Sequence, residues 1–180
     1  MKIREVNIEK DLMCILNMYI KCFAGYPWFE TLSMEEVTKR WLSNSSQQNF
    51  TCIVAELNDE VAGSMWWNDL TETALLKERG PKLFAFAKEN FPNIRVVWER
   101  ELMVSPEFTG KKIASNLRGE FLSRLLKRQA PFLILTRMRD DNFAVIKIAE
   151  RIGYARTGIR MPCSIKPSVC HEYWYRAIDT

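Results

Sequence analysis

The sequence lacks the residues and patterns by which several classes of protein are recognised. It contains one histidine, His171, and its five cysteines form no Cys-x-x-Cys pair, so no metal site is expected. No apolar run approaches the roughly 20 residues that a membrane helix needs. The chain opens on Met1 without a hydrophobic signal region, and it has no internal repeats. We therefore expect a cytoplasmic protein with reduced thiols and no membrane association.

The composition is that of an ordinary globular domain. The chain has 180 residues, of which 47% are apolar and 27% charged, so a single domain spanning 1–180 is expected. A net charge of +4 is too small to indicate a nucleic-acid-binding protein by itself. The charge is unevenly distributed, however. Between Glu107 and Arg128 the sequence has six basic residues and two acidic ones.

The hydrophobic pattern predicts a mixed α/β fold in which helices cover a sheet. The expected strands are 3–6, 51–57, 61–67, 96–104, 132–135, 154–159 and 172–177. The expected helices are 9–23, 34–42, 111–129 and 142–152, together with a mostly helical segment 70–91 that is broken at Gly80-Pro81. The element order is therefore β-α-α-β-β-(α)-β-α-β-α-β-β.

The segment 101–117 is the most informative part of the sequence. An apolar strand turns through Gly110 directly into a basic amphipathic helix. The first turn of a helix has backbone N–H groups without intrahelical partners, and the aligned peptide dipoles add partial positive charge there. Lys111 and Lys112 work against that dipole, so an anionic ligand would explain them. The alternative is two solvated lysines on a frayed turn.

With these elements in order, the chain resembles the GNAT N-acetyltransferase superfamily over its whole length. A Leu-x-Val-x-Pro pattern at the end of a strand is matched by Leu102, Val104 and Pro106. The acyl-CoA signature Arg/Gln-x-x-Gly-x-Gly/Ala follows, and here it is Thr109-Gly-Lys-Lys-Ile-Ala114. The final alanine fits. Thr109 replaces the usual Arg or Gln, and Lys112 replaces the central glycine.

A second family motif, Asn-x-x-Ala-x-x-x-Tyr-x-x-x-Gly-Phe, is matched in its spacing. Asn142, Gly153 and Tyr154 hold their expected places, whereas Val145 replaces the alanine and Ala149 the tyrosine. The resemblance implies a mixed, mostly antiparallel sheet of about six to seven strands flanked by helices. It also implies an acyl-CoA N-acyltransferase domain.

The resemblance implies that acetyl-CoA is the cofactor. Backbone amides of the glycine turn would bind its pyrophosphate, and the residues concerned are Thr109, Gly110, Lys111, Lys112, Ile113, Ala114 and Ser115. Lys112 costs about 1 kcal/mol or more if its position requires positive φ. The main chain at Met103 and Val104 would bind the pantetheine arm. Asn142 would make a polar contact to that arm or serve only as a helix cap.

Acetyl transfer needs a base for the amine and a proton donor for the leaving sulfur. Many family members use a tyrosine as that donor, at the position of Ala149. Tyr154, Ser115 or a water would replace it here, or nothing would. Glu99 and Glu101 share one face of the central strand by period-two counting, so both are candidate bases. The alternative is that each is a surface or salt-bridged carboxylate.

Aromatic residues mark the expected acceptor side. In relatives the link between the first two helices walls the acceptor pocket, and here it contains Trp28 and Phe29. Trp66 is the third candidate. Trp66 and Trp67 are adjacent on a strand and point to opposite faces, so at most one of them lines a cleft. An aromatic wall beside an acid (Glu30 or Asp69) suits a cationic amine. The alternative for these residues is packing in the core and at the surface.

Three functional hypotheses follow. The first is an acyl-CoA-dependent N-acetyltransferase that acts on a primary amine of a small molecule or peptide. The second is a GNAT-fold protein that binds acyl-CoA or regulates a partner with little or no catalysis, which Thr109, Lys112 and Ala149 favour. The third, a nucleic-acid contact through the basic helix, is disfavoured because that helix must bury one face. By analogy with the fold, a homodimer is expected.

Overall fold

The computed structural model describes residues 1–128 and 131–178, and within them the predicted elements are confirmed. The strands are β1 (Lys2–Glu5), β2 (Thr51–Leu57), β3 (Glu60–Leu70), β4 (Arg95–Val104), β5 (Phe132–Arg139), β6 (Ala155–Pro162) and β7 (Cys170–Ile178). The helices are α1 (Ile8–Ala24), α2 (Met34–Ser45), α3 (Glu72–Arg79), α4 (Pro81–Asn90), α5 (Ile113–Leu126) and α6 (Phe143–Arg151). The predicted end of the basic helix near Gln129 lies outside the described residues.

The seven strands are hydrogen-bonded in the order β1-β2-β3-β4-β5-β7-β6. β4 and β5 run parallel, with Arg95 opposite Phe132, whereas the pairs β1-β2, β2-β3, β5-β7 and β6-β7 are antiparallel. The expected mixed, mostly antiparallel sheet is therefore confirmed. None of the helices in the described ranges is long and apolar enough to cross a bilayer.

The chain divides into two compact units, and β3 and β4 contribute residues to both. The first unit comprises Met1–Asn68 and Arg100–Leu125. In it, α1 and α2 pack on β2, β3 and β4 around a core that contains Ile15, Tyr19, Phe23, Val37, Trp41, Val54, Trp66 and Met103. The expectation of one domain spanning 1–180 stays a prediction.

The second unit comprises Asp69–Glu99 and Leu126–Thr180. Its core joins α3 and α4 to β4, β5 and β7 through Leu75, Leu83, Ala87, Val96, Trp98, Leu133, Leu135 and Tyr173. The segment 70–91, predicted to be helical with a break, forms α3 and α4 on either side of Gly80, whose φ is +85°. This segment therefore packs on the sheet of its own unit.

Local sequence signals set the turns and caps. Asn58 and Asp59 both have positive φ, which is the two-residue hairpin geometry that matches strand twist. Ser33 and Glu36 form a capping box at the start of α2, as the spacing Ser-x-x-Glu favours. Asn142 caps α6 by accepting from the Val145 N–H, so its capping role is confirmed. Gly153 follows α6 with φ +85°, as the C-terminal glycine was expected to do.

The start of α5 differs from the prediction. The helix was expected from Lys111 but begins at Ile113. Gly110 and Lys112 have φ values of +82° and +60°, and residues in the left-handed region cannot belong to a right-handed helix. The four-residue apolar repeat of this helix is confirmed, because Ile113, Leu117, Phe121 and Leu125 are each no more than 2% exposed. Leu126, which was expected to widen the apolar stripe, is 55% exposed, so that part of the prediction is wrong.

Candidate active site

The turn between β4 and α5 belongs to the first unit and is built from a 3₁₀ turn followed by two left-handed residues. The Thr109 hydroxyl donates to the Pro106 carbonyl at 2.9 Å, which closes the 3₁₀ turn Pro106–Phe108. Gly110 and Lys112 then reverse the chain. The first helical acceptor is the Lys112 carbonyl, which receives the Asn116 N–H at 3.0 Å. Lys112 therefore directly precedes α5 and supplies its first carbonyl acceptor.

This turn has the properties of an anion site. Gly110 and Lys112 have positive φ, and a 14-residue helix begins directly after them, so the backbone N–H groups of its first turn have no intrahelical partners. A Cβ added at Gly110 would meet nothing within 4 Å, so the approach to the backbone is open. Lys111 and Lys112 are both exposed, with Lys111 Nζ 5.0 Å from the centre of the Phe108 ring. Neither lysine side chain is engaged by a carboxylate in the described part of the chain.

The end of β4 is tied to its neighbours through main-chain groups. The Ser105 N–H donates to the Ala62 carbonyl at 3.0 Å, and the Val104 carbonyl accepts from the Cys22 thiol at 3.2 Å. Burial raises the pKa of Cys22 to about 11, so its sulfur keeps the proton that it donates. Met103 is buried in the core of the first unit. The predicted main-chain contacts of Met103 and Val104 to a pantetheine arm stay predictions.

Glu101 lies in a cavity of the first unit. The cavity has a volume of about 420 Å³ and is lined by Tyr19, Lys39, Arg40, Ser43, Asn44 and Glu101. Tyr19 donates its phenol proton to Glu101 Oε1 at 3.1 Å and accepts from Arg40 Nη1 at 3.3 Å. Burial, reinforced by the charge of Glu101, raises the pKa of Tyr19, so the phenol remains a donor. A carboxylate is thus held at an open surface cavity.

Glu99 has a different environment, in the second unit. It is 2% exposed, and its Oε2 accepts from the Tyr154 hydroxyl at 2.8 Å. Its carbonyl accepts from the Thr136 hydroxyl at 3.2 Å. Two of the three predicted catalytic residues, Glu99 and Tyr154, are therefore in direct contact. Glu101 instead accepts from the Tyr19 hydroxyl.

The predicted aromatic residues differ in exposure. Trp66 is 1% exposed and packs between Tyr19 and Trp41, with ring centroids 6.1 and 5.2 Å away. Its indole belongs to the core behind Tyr19. Trp28 is half-buried against Phe23 at 5.0 Å, whereas Phe29 is 62% exposed. Acceptor binding by these three aromatic residues stays a prediction.

Three further positions concern the leaving group and the cofactor arm. Ala149, at the family position of the tyrosine donor, is fully buried on α6 and as an alanine has no hydroxyl. Ser115 lies in the first turn of α5 and is half-buried. Both Asn142 and Ala149 belong to the second unit. Within residues 1–128 and 131–178, no three His, Cys, Asp or Glu side chains form a group that could hold a metal ion.

The sequence-based prediction missed Tyr19 and Arg40. Tyr19 shares a helical face with the apolar residues Ile15 and Leu16, and its ring is buried accordingly, since only 3% of the residue is exposed. A buried tyrosine hydroxyl usually has a hydrogen-bond partner, and that rule was the one available signal. Arg40 has no such signal, because it occupies an ordinary polar position on α2.

Comparison with known proteins identifies the family to which the chain belongs. The model of the acetyltransferase (GNAT) family matches residues 14–154. None of the curated proteins that were compared matches the chain significantly. Many solved structures do match in fold at low sequence identity.

Three of these structures illustrate the likeness. The ribosomal-protein-alanine N-acetyltransferase of Brucella melitensis has a TM-score of 0.71 at 16% identity, with 99% of this chain and 100% of that chain covered. The putative acetyltransferase yncA of Salmonella typhimurium, solved with its cofactor acetyl-CoA, has a TM-score of 0.71 at 16% identity over 100% and 95%. The phosphinothricin acetyltransferase of Sinorhizobium meliloti, solved with AcCoA, has a TM-score of 0.69 at 16% identity over 98% and 88%.

Proposed function

Since the chain belongs to the acetyltransferase (GNAT) family, we propose that it transfers an acetyl group from acetyl-CoA to a primary amine of a small molecule or peptide. The observation that carries this proposal is the turn at Gly110–Lys112, with its two left-handed residues at the start of α5. Solved structures of the same fold contain acetyl-CoA, which supports the same cofactor here.

The turn fits an anionic cofactor in three respects. Its backbone N–H groups lie at a helix N-terminus, which favours phosphate. Gly110 leaves the surface of the turn open, because a Cβ there would project into empty space. Lys111 and Lys112 add two positive charges suited to charge-assisted hydrogen bonds. When bound, acetyl-CoA supplies the acetyl group and a thiol leaving group.

We assign the base to Glu101. An attacking amine must lose its proton, and Glu101 presents a carboxylate to a cavity of about 420 Å³. The phenol of Tyr19 holds Glu101 Oε1 in one orientation at 3.1 Å, which keeps the carboxylate directed while it accepts a proton. Arg40 Nη1 donates to that phenol oxygen at 3.3 Å, which orients the Tyr19 hydroxyl toward Glu101.

Tyr154 is the proposed proton donor. Its hydroxyl holds a proton directed at Glu99 Oε2 at 2.8 Å, and the pair is buried. In this proposal Tyr154 transfers its phenol proton to the leaving sulfur and regains a proton from solvent, and Glu99 positions the hydroxyl between turnovers. Ala149 removes the usual tyrosine donor, which also supports a second candidate function. That candidate is acyl-CoA binding with weak or no catalysis.

Thermal unfolding in the presence of acetyl-CoA, with coenzyme A and ADP as controls, tests cofactor binding. A ligand at about 100 times its Kd stabilises by about 2.7 kcal/mol. Release of free thiol in the presence of a panel of amines then tests transfer. Stabilisation without thiol release from any amine would favour the binding-only candidate. No stabilisation at millimolar acetyl-CoA would contradict both.

A matched pair of glycine variants tests the turn itself. Gly110 and Gly80 have φ values of +82° and +85°, and neither has an atom within 4 Å of an added Cβ. Gly110→Ala and Gly80→Ala should therefore both lose about 1 kcal/mol of stability. Gly110→Ala alone should also weaken acetyl-CoA binding, since its methyl group occupies the approach to the turn. Equal affinity of the two variants would contradict the assignment of the turn.

Two further properties belong to the proposal. The five cysteines are all free in the structure, which supports a reducing compartment such as the cytoplasm. We also retain the homodimer as a proposal, by analogy with the fold. Sedimentation of the full chain would test it.

A further inference from the structure

The cavity around Glu101 has an unusual set of lining side chains for its size. Every one of its six lining residues is polar or has a polar tip, and two are cations, Lys39 and Arg40. Glu101 is the one carboxylate that lines it. An acceptor that is only an amine would use Glu101 and leave both cations unused. The lining therefore indicates that the acceptor also carries negative charge.

Arg40 is the side chain that would bind this charge. Its Nη1 contacts the Tyr19 hydroxyl at 3.3 Å and Glu30 Oε2 at 3.5 Å. Within the described residues no hydrogen bond involves its Nε or its Nη2. The side chain is 46% exposed. Its guanidinium thus retains the planar pair of donors that bind a carboxylate in a bidentate manner.

The existing partners of the two cations are weakly held. The Arg40–Glu30 contact, at 3.5 Å, is at the long limit of a hydrogen bond. Lys39 pairs with Glu35 at 2.7 Å, but the two side chains are 72% and 76% exposed, and exposed ion pairs of this kind contribute little. Both cations can therefore bind an incoming carboxylate at small cost. A zwitterion would also leave the net charge of the cavity unchanged.

The spacing restricts the acceptor further. Arg40 Nη1 and Glu101 Oε1 both bond to the Tyr19 hydroxyl, at 3.3 and 3.1 Å, so the two atoms are within about 6.5 Å of each other. Nε and Nη2 belong to the same rigid guanidinium as Nη1, so an acceptor that bridges Glu101 and this edge of Arg40 has its amine and its anion a few bonds apart. In an α-amino acid a single carbon separates the two groups.

We propose that the acceptor is a free α-amino acid, with its amine at Glu101 and its carboxylate at Arg40. This inference rests on the proposed acetyl transfer. In the reaction the neutral amine nitrogen forms the amide bond to the acetyl carbon, and its surplus proton passes to Glu101. The carbon–sulfur bond breaks with its electron pair on sulfur, and coenzyme A leaves as the thiol after it takes a proton from Tyr154. The α-carboxylate takes no part in the chemistry and fixes the orientation of the amine. A peptide N-terminus, which has an amide in place of that carboxylate, would lack this contact.

Matched acceptors test the proposal. Each common α-amino acid is compared with its own carboxamide, which keeps the side chain and the α-amine but lacks the carboxylate and resembles a peptide N-terminus. With saturating acetyl-CoA we expect at least one acid to exceed its carboxamide about tenfold or more in kcat/KM. Carboxamides that equal or exceed their acids throughout would overturn the inference and favour peptide acceptors.

The variant Arg40→Gln identifies the residue responsible. We expect it to reduce the acid-to-carboxamide ratio of kcat/KM to about one, because only the acid loses a contact. Arg151→Gln is the matched control, since Arg151 is exposed on α6 and does not line the cavity. A ratio that is unchanged in Arg40→Gln would overturn the assignment of Arg40.

A binding measurement separates this inference from the proposed function. Calorimetric titration of the protein without acetyl-CoA, first with the amino acids and then with their carboxamides, requires no catalysis. Preferential binding of an acid, lost in Arg40→Gln, supports the acceptor class even if no amine is acetylated and the proposed transfer fails. Binding of carboxamides alone, or of neither set by a protein that does acetylate other amines, overturns it.

Discussion

Lys112 has the least favourable backbone conformation in the turn that precedes α5. Its φ of +60° lies in the left-handed region, where a Cβ crowds the following carbonyl and costs about 1 kcal/mol or more. Its ammonium group also lies near the positive end of the helix dipole. Both effects oppose folding, so the lysine is better explained by a bound anion than by stability.

Replacement of Lys112 by glycine should therefore have opposite effects on stability and on binding. We expect Lys112→Gly to raise the free energy of unfolding by about 1 kcal/mol, because the strain at positive φ is relieved. The same variant should lower the affinity for acetyl-CoA and reduce its dependence on salt, because one charge-assisted contact is lost. Urea unfolding and calorimetric titration measure the two quantities.

Asp59→Gly is the control for this pair of effects. Asp59 has a φ of +63° in the β2-β3 turn, so glycine should relieve a similar strain there without changing acetyl-CoA affinity. If Lys112→Gly binds acetyl-CoA as tightly as the parent protein does, the backbone of the turn alone would account for phosphate binding.

The two candidate bases should respond differently to substitution. Glu101 lines a cavity and Glu99 is buried against Tyr154, so we expect Glu101→Gln to lower kcat by about 10²–10⁴ with little change in acetyl-CoA affinity. Glu99→Gln should lower kcat by a smaller factor, because its amide oxygen can still accept from Tyr154. Steady-state kinetics with a fixed acceptor would compare the two. A larger loss in Glu99→Gln would move the base to Glu99.

Period-two counting could not separate these carboxylates. It placed Glu99 and Glu101 on one face of β4, which requires uninterrupted alternation. Trp98 belongs to the same core as Leu70, and Met103 to the same core as Trp66. Leu70 and Trp66 share a face of β3 because they are four residues apart, whereas Trp98 and Met103 are five apart. The alternation of side chains between the two faces of β4 is therefore interrupted between Trp98 and Met103, and no local sequence pattern predicts that interruption.

At the scale of elements, α5 is positioned by its contact with β3. A Cβ added at Gly63 would lie 2.7 Å from Ile113 Cγ2 and 2.9 Å from the Met103 carbonyl oxygen. The side chain of Ile113 can rotate, but the backbone oxygen of β4 can move only if the strand moves. Gly63 thus allows the first turn of α5 and the end of β4 to approach β3 closely.

Gly63→Ala should consequently affect both stability and cofactor binding. We expect a loss of about 1–3 kcal/mol from overpacking, together with weaker acetyl-CoA binding, since the start of α5 or the end of β4 must shift. Gly119→Ala is the matched control, because Gly119 lies within α5 and has no atom within 4 Å of an added Cβ. Alanine in a helix interior should stabilise by about 0.5–1 kcal/mol.

Chemical unfolding and acetyl-CoA titration of both glycine variants would measure these effects. Normal acetyl-CoA affinity in a destabilised Gly63→Ala protein would mean that the geometry of the turn does not depend on this contact.

At the scale of the whole molecule, the order of elements was predictable and the grouping of site residues was not. Breaks and caps such as Gly80-Pro81, Ser33 and Asn142 are local signals, and the structure confirms them. The contact between Tyr19 and Glu101 joins residues 82 positions apart. Such a contact depends on how α1 packs on the sheet. Hydrophobic periodicity predicts which face of a helix or strand is buried, but not which other element packs on that face.

The single histidine makes the pH dependence of global stability simple to predict. Burial, followed by the charges of Arg137 and Arg139, lowers the pKa of His171 to about 4. An unfolded chain has a histidine pKa of about 6.5, so below that pH the unfolded state binds a proton that the folded state does not. The contribution of neutral His171 to stability is therefore fully present above pH 6.5 and is lost as the pH falls toward 4.

We expect the free energy of unfolding to decrease by about 1–2 kcal/mol between pH 7 and pH 5, before most carboxylates titrate. Urea unfolding at a series of pH values would measure it. In His171→Gln the free energy of unfolding should change little between pH 7 and pH 5. Histidine is the only side chain type with an ordinary pKa in this interval, since thiols titrate at higher pH and carboxylates at lower pH. An equally steep decrease in the variant would show that a carboxylate with a raised pKa, and not His171, controls stability in this range.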